Sequence, residues 1–185
     1  MENETLLLKR IQEGDREAQH ELYTRLAGQA MAVAMRFVAN TEAARDILQE
    51  AFVKVFTHID SFNGRGEGTL RAWVMRIVSN ESINWMKQEK RLTVINIDEE
   101  PDTTEESFEE PPDIAGVSPD VLQRLIEQLP EGYRTVFTLF VFEQKSHKEI
   151  ANLLGIRENS SASQFFHAKK MLKNMINKYK STHHR

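Results

Sequence analysis

The residues best suited to chemistry lie between Ser146 and Lys170. Ser146-His147-Lys148-Glu149 is a capping box, in which the serine and glutamate side chains each satisfy backbone groups at a helix start. Ala151 follows, then Gly155 four residues later, and a further helix begins within five residues. A small residue lets two helices cross closely and glycine accepts a left-handed turn, so the segment predicts a helix-turn-helix. Ile150, Leu153, Leu154 and Ile156 supply its apolar underside. The second helix is expected to present Ser160, Ser163, Gln164 and His167 outward, at i, i+3, i+4 and i+7, with Lys169, Lys170 and Lys173 nearby. Short polar and amide groups suit base edges in a major groove, and lysines suit phosphates. The competing reading is an ordinary two-helix packing unit with a solvated lysine end.

Two further polar arrays stand earlier in the chain. Arg76, Asn80, Asn84, Lys87 and Arg91 fall at i, i+4, i+8, i+11 and i+15. On a helix they form a stripe about 80° wide and roughly 22 Å long. Glu81 and Glu89 are expected to point elsewhere, which leaves a face without acids, fit for a nucleic-acid strand. Taken alone, the stripe is read slightly better as a solvated helix face. Asp46, Gln49, Glu50 and Val53 make a polar strip opposite an apolar face, and taken alone that strip is a solvated surface.

Other chemistries find no support. With zero cysteines there is no disulfide framework, thiolate metal site or thiol nucleophile. Gly64-Arg65-Gly66-Glu67-Gly68 lacks a preceding strand and a GxxxxGK pattern, so it reads as a loop and not a nucleotide cradle. The six histidines show no HExxH spacing, and no triad or carboxylate pair can be located. Neither an enzyme, a metal nor a cofactor is expected. The acidic start Met1-Glu2-Asn3-Glu4 with only three leucines after it is not a signal peptide. No apolar run approaches the ~18 residues of a membrane span. A soluble, cytoplasmic protein without membrane insertion is the expectation.

The elements that must position these residues are helices nearly throughout. One is expected from Thr5 to Glu13, stopping at Gly14, and Asp15 then caps a long helix carrying Ala18, Leu22, Leu26 and Phe37 inward. Asn40 or Thr41 caps a third, with Ile47, Leu48, Ala51, Phe52, Val55 and Phe56 on its apolar face. Thr69 caps a fourth that reaches roughly to Arg91. Residues 92–117 carry nine acids and no base, with Pro101, Pro111 and Pro112, too little apolar surface to offset ordering, so they read as a flexible acidic linker. Val94, Ile95 and Ile97 could add a brief extended piece. Ser118-Pro119 starts the second body, whose residues 120–185 hold 11 basic and 6 acidic side chains. That local excess favours a polyanion partner for the second body, although the whole chain is at −4. The expected fold is all-α: a helical bundle at 1–91, the linker at 92–117 and a helix-turn-helix domain at 118–185.

Ala44-Arg45-Asp46-Ile47-Leu48-Gln49-Glu50-Ala51-Phe52 resembles the Asp-Leu-x-Gln-Glu-x-Phe segment of bacterial extracytoplasmic-function (ECF) sigma factors of the sigma-70 family. Trp73-Val74-Met75-Arg76-Ile77-Val78-Ser79-Asn80 is similar to their Trp-Leu-x-x-Ile-Ala-x-Asn segment. Leu129-Pro130-Glu131, Arg134 and Val136-Phe137 with the helix-turn-helix resemble their second domain, in the same order. The resemblance implies a polymerase specificity subunit that contacts RNA polymerase core through the β′ clamp helices and the β subunit. Asp46, Gln49, Glu50 and Val53 would dock on the clamp helices. Phe62, Asn63, Arg76, Asn80, Asn84, Lys87 and Arg91 would face the separated −10 promoter element, the loop from Phe62 to Thr69 holding a base turned out of the stack. Arg157, Ser160, Ser163, Gln164, His167 and Lys170 would read the −35 element as duplex. An anti-sigma protein that covers these faces is the further partner implied.

The sequence departs from the family where Ser161, Ala162 and Gln164 replace a frequent valine, lysine and arginine, and where Asn84 replaces a frequent aspartate. From the residues alone, a two-domain helix-turn-helix regulator that binds DNA without touching polymerase stays open, as does an adaptor that makes only protein contacts.

Overall fold

The structure is a computed structural model and describes residues 4–62, 69–89 and 114–183. Among them are eight α-helices and one 3-10 turn: α1 Glu4–Gln12, α2 Arg16–Val38, α3 Thr41–His58, the turn Ile59–Ser61, α4 Leu70–Gln88, α5 Pro119–Glu127, α6 Glu131–Val141, α7 His147–Leu154 and α8 Glu158–His183. The chain divides into two compact units, Met1–Glu89 and Lys90–Arg185. The all-α architecture of two small helical bodies is as expected. Asn63, the glycine loop, the extended piece at 94–97, Arg91 and most of the acidic linker lie outside the described residues.

In the first unit, helix starts are set by short polar side chains that take up otherwise unbonded amides. Asp15 accepts the N–H groups of Glu17 and Ala18, and Arg10 clamps its other oxygen at 2.6–2.8 Å, which fastens α1 to the start of α2. Those bonds hold the Asp15 carboxyl below its usual range. Asn40 caps α3 and Thr69 caps α4. Glu4 reaches across from α1 and accepts the Leu70 amide at 2.8 Å, adding a negative charge at the positive end of α4.

Helices α2, α3 and α4 pack pairwise. Ala18, Ala30, Ala34, Ala44 and Ala51 are fully buried, and such small side chains let helix backbones approach. Phe37, Ile47, Val55, Leu70, Trp73, Val74 and Met86 fill the space between. The observed α4 ends at Gln88, short of the expected Arg91.

The second unit is built around Ile126, Leu129, Phe137, Ala168, Leu172 and Ile176, with Leu122, Leu125 and Phe165 packed against them. Arg134 is buried and donates to the carbonyls of Glu127 (3.1 Å) and Leu129 (2.8 Å), tying the end of α5 to the start of α6. Burial lowers its guanidinium pKa from the ordinary value. The capping box at Ser146 and Glu149 is formed, and Gly155 ends α7 in the left-handed region at φ 71°. The last residues of the expected linker are structured: Val117 donates to the Ile114 carbonyl and packs against the core.

Candidate protein and nucleic-acid interfaces

On α3 the sides sort as the spacing requires. Ile47, Leu48, Ala51, Phe52 and Val55 are buried, while Asp46, Gln49, Glu50 and Val53 are exposed, Val53 by 56 %. None of these four side chains has a hydrogen-bond or ion-pair partner among the described residues. Beside this ridge Tyr23, Arg45, Leu48, Gln49, Phe52, Val53 and Phe56 line a groove of about 520 Å³. Its floor is aromatic, with the Tyr23 ring set edge-on to Phe52 at 4.8 Å. The ridge thus offers acids and amides above an apolar trough, a surface suited to a basic helix with apolar anchors.

On α4 the side chains of Arg76, Asn80, Asn84 and Lys87 are exposed along one face. Two expectations for this region need correction. Glu81 does not point away from the stripe: it accepts the Asn84 amide at 3.3 Å and pairs with Lys54 of α3 at 2.7 Å. At 100° per residue it stands only about 60° from Asn84. Phe62, expected to help hold an everted base, is 5 % exposed and packs against Trp73 with ring centroids 5.4 Å apart. A large aromatic at that position gains more from the core than from solvent, so it supports the start of α4.

The helix-turn-helix is present, but its second helix faces differently from the expectation. Ser160, Ser163 and Gln164 are 1 %, 0 % and 2 % exposed and turn inward. Early α8 crosses α6 and α7, and short side chains are what such a crossing admits. Ser161 lies there too, 3.0 Å from Nδ1 of His147. Gln164 Oε1 stands 2.9 Å from the place a Cβ on Gly132 would occupy, so glycine at 132 makes room for it. His167 is half-buried and stacks on Tyr133 at 5.7 Å. Of the residues expected to touch DNA here, Arg157 and Lys170 are exposed.

The outward arc, roughly 100° wide, instead holds the exposed Asn159, Lys169 and Lys170 with the half-buried Ala162, Phe166 and Lys173. Phe166 is half-buried and carries Lys170 near its ring, 5.9 Å from the centroid. The missed signal was the buried ridge Phe165, Ala168, Leu172 and Ile176: extended backwards one turn, it passes through Ser161 and Gln164.

Among the described residues no cluster of histidine, aspartate and glutamate could hold a metal, and no helix is long and apolar enough to cross a membrane.

The fold class is therefore a pair of small all-α bodies, the second holding a helix-turn-helix. Residues 22–92 match Sigma-70 region 2 and residues 120–172 match Sigma-70, region 4. The chain belongs to the sigma-70 family, among its ECF factors. It is 28 % identical over 185 residues to the RNA polymerase sigma-H factor of Pseudomonas aeruginosa, covering 92 % of each chain. It is also 28 % identical over 183 residues to the ECF RNA polymerase sigma-E factor of Escherichia coli K12, covering 92 % of this chain and 93 % of the relative. Among solved structures, the sigma factor RpoE in complex with the anti-sigma factor NepR from Bartonella quintana is similar at 18 % identity and a TM-score of 0.48. That match covers 85 % of this chain and 96 % of the other.

Proposed function

We infer that the chain binds RNA polymerase core and directs it to promoters. The observation that carries this reading is the α3 ridge: Asp46, Gln49, Glu50 and Val53 stand exposed and unpartnered on a helix whose other side is locked into the core. Solvation alone does not ask for Val53 there, whereas docking on the β′ clamp helices would use it as an apolar anchor between charged contacts. An anti-sigma protein would compete for the same ridge.

The two DNA faces are assigned by exposure. Asn80, Asn84, Arg76 and Lys87 on α4 face the separated −10 strand, where amides meet bases and cations meet phosphates. On α8 the −35 duplex meets Asn159, Ala162 and Phe166 at base edges, with Lys169, Lys170 and Lys173, and Arg157 just before the helix, toward phosphates. An apolar Phe166 suits a thymine methyl group. Ser160, Ser163 and Gln164 seat the helix and do not read sequence. The β subunit and the acidic linker belong to the same reading, and it contains no catalytic step.

The test is transcription reconstituted from purified core polymerase on templates with randomised promoters. Start sites that appear only with this chain, and that share two short elements, are the expected result. Identical transcripts with and without it would refute the reading.

A further inference from the structure

Between α3 and α4 an ion pair crosses from helix to helix. Lys54 Nζ donates to Glu81 Oε2 at 2.7 Å, with the Glu81 side chain 13 % exposed and that of Lys54 46 %. The second carboxylate oxygen, Oε1, accepts the Asn84 Nδ2 amide at 3.3 Å. These three side chains, with Asp46, Glu50 and Trp85, line a groove of about 270 Å³ between the polymerase ridge and the DNA stripe.

Two chemical constraints meet here. An ionised carboxylate only accepts hydrogen bonds, so Asn84 must turn its NH₂ toward Glu81 and leave its carbonyl oxygen, Oδ1, for another donor. An acid beside Asn80, Asn84 and Lys87 also repels a phosphate strand unless a cation offsets it, and at a contact of lowered dielectric that repulsion is strengthened. We propose that Lys54 and Glu81 act as a positioning pair for −10 recognition: Glu81 presents the Asn84 carbonyl to a base that offers an amino group, and Lys54 neutralises the acid where DNA passes. The pair rests on the reading of α4 as the −10 face.

The experiment uses full-length chain and core polymerase on the strongest promoter drawn from templates randomised in the −10 region. Lys54→Ala weakens promoter binding roughly twofold to tenfold at low salt, less at high salt, since it exposes a single uncompensated charge. Its affinity for core stays at the unsubstituted value, and its thermal midpoint falls slightly because the largely buried Glu81 loses its partner. Glu81→Ala and Asn84→Ala both lose preference at the same base. On templates changed at that base, where the base contact no longer counts, Lys54→Ala combined with Glu81→Ala binds within about twofold of the parent, the coupling expected of partners in contact. If on those templates the double variant stays as weak as Lys54→Ala, Lys54 meets phosphate directly and the proposal is overturned. A base preference that survives Glu81→Ala but not Asn84→Ala, or that survives both, also overturns it. Asn80→Ala and Lys87→Ala separate this pair from the reading beneath it. If they weaken promoter binding while Lys54→Ala does not, only the pair fails. If none of the variants weakens binding, the −10 assignment of α4 falls and the pair falls with it.

Discussion

On α4, Arg76, Asn80, Asn84 and Lys87 stand in solvent as their spacing requires, whereas on α8 the equally regular Ser160, Ser163 and Gln164 are buried. Both sets are polar and both recur at helical intervals, so polarity does not separate them. Size and surroundings do. A serine is small enough to sit at a helix crossing, where its volume asks for little space, and Ser163 sits there although its buried hydroxyl has no hydrogen-bond partner among the described residues. Lysine and arginine carry a charge whose burial is costly, so they report exposure far more reliably. The α4 stripe includes two such charges among its described members. The set in and just before α8 that was expected to face DNA had its charges at Arg157 and Lys170, and those two are exposed.

The sharpest way to break this contrast is to place a charge on each helix. Ser163→Lys buries an ammonium with no partner and should destabilise the second unit by at least ~3 kcal/mol, read by thermal or denaturant unfolding. Asn80→Lys should shift stability by less than about 0.5 kcal/mol, as an exposed substitution does. Similar midpoints for the two variants would refute the assignment of faces on α8. Gln164→Ala probes the same boundary more gently. It should cost about 1–3 kcal/mol of stability through the lost buried contacts, with −35 preference unchanged.

Phe166→Ala should do the converse, lowering discrimination at one −35 position by about 1 kcal/mol while stability falls less than for Gln164→Ala. Competition binding against single-base variants of the −35 element measures both. Lys87→Ala should reduce the salt slope of promoter binding by about 0.7, the value for one phosphate contact on a single strand.

The smallest effect concerns pH. Hydrogen bonds from the Ser146 hydroxyl and N–H hold the Glu149 carboxyl below the ordinary 4.5. A depressed carboxyl pKa gives stability that is fully present above the ordinary value and is lost as pH falls through the folded one. Acid titration of the second unit should therefore show a decline beginning just under pH 4.5 that Glu149→Gln flattens.

Most of the fold was legible because its signals are local. Asp15, Asn40, Thr69, Ser118 and Ser146 each mark a helix start by a side chain that bonds an amide two or three residues on, and all five do so. The α3 ridge was legible for a related reason: its apolar face is broad, so the opposite side is defined by exclusion. What escaped was long-range. Phe62 is drawn from its loop by Trp73 of the next helix, and Lys54, which holds Glu81, lies 27 residues earlier on another helix. The position of Glu81 itself, about 60° from Asn84, was legible from helical spacing and was misjudged.

The central claim is that the Asp46, Gln49, Glu50 and Val53 ridge carries the chain onto RNA polymerase. Reversing Asp46 and Glu50 to lysine and measuring affinity for purified core polymerase tests it most directly. The account predicts that core binding is abolished while the thermal midpoint is kept, because both carboxylates are exposed and unpartnered among the described residues. A doubly reversed chain that still co-purifies with core polymerase at the parent's affinity would contradict it.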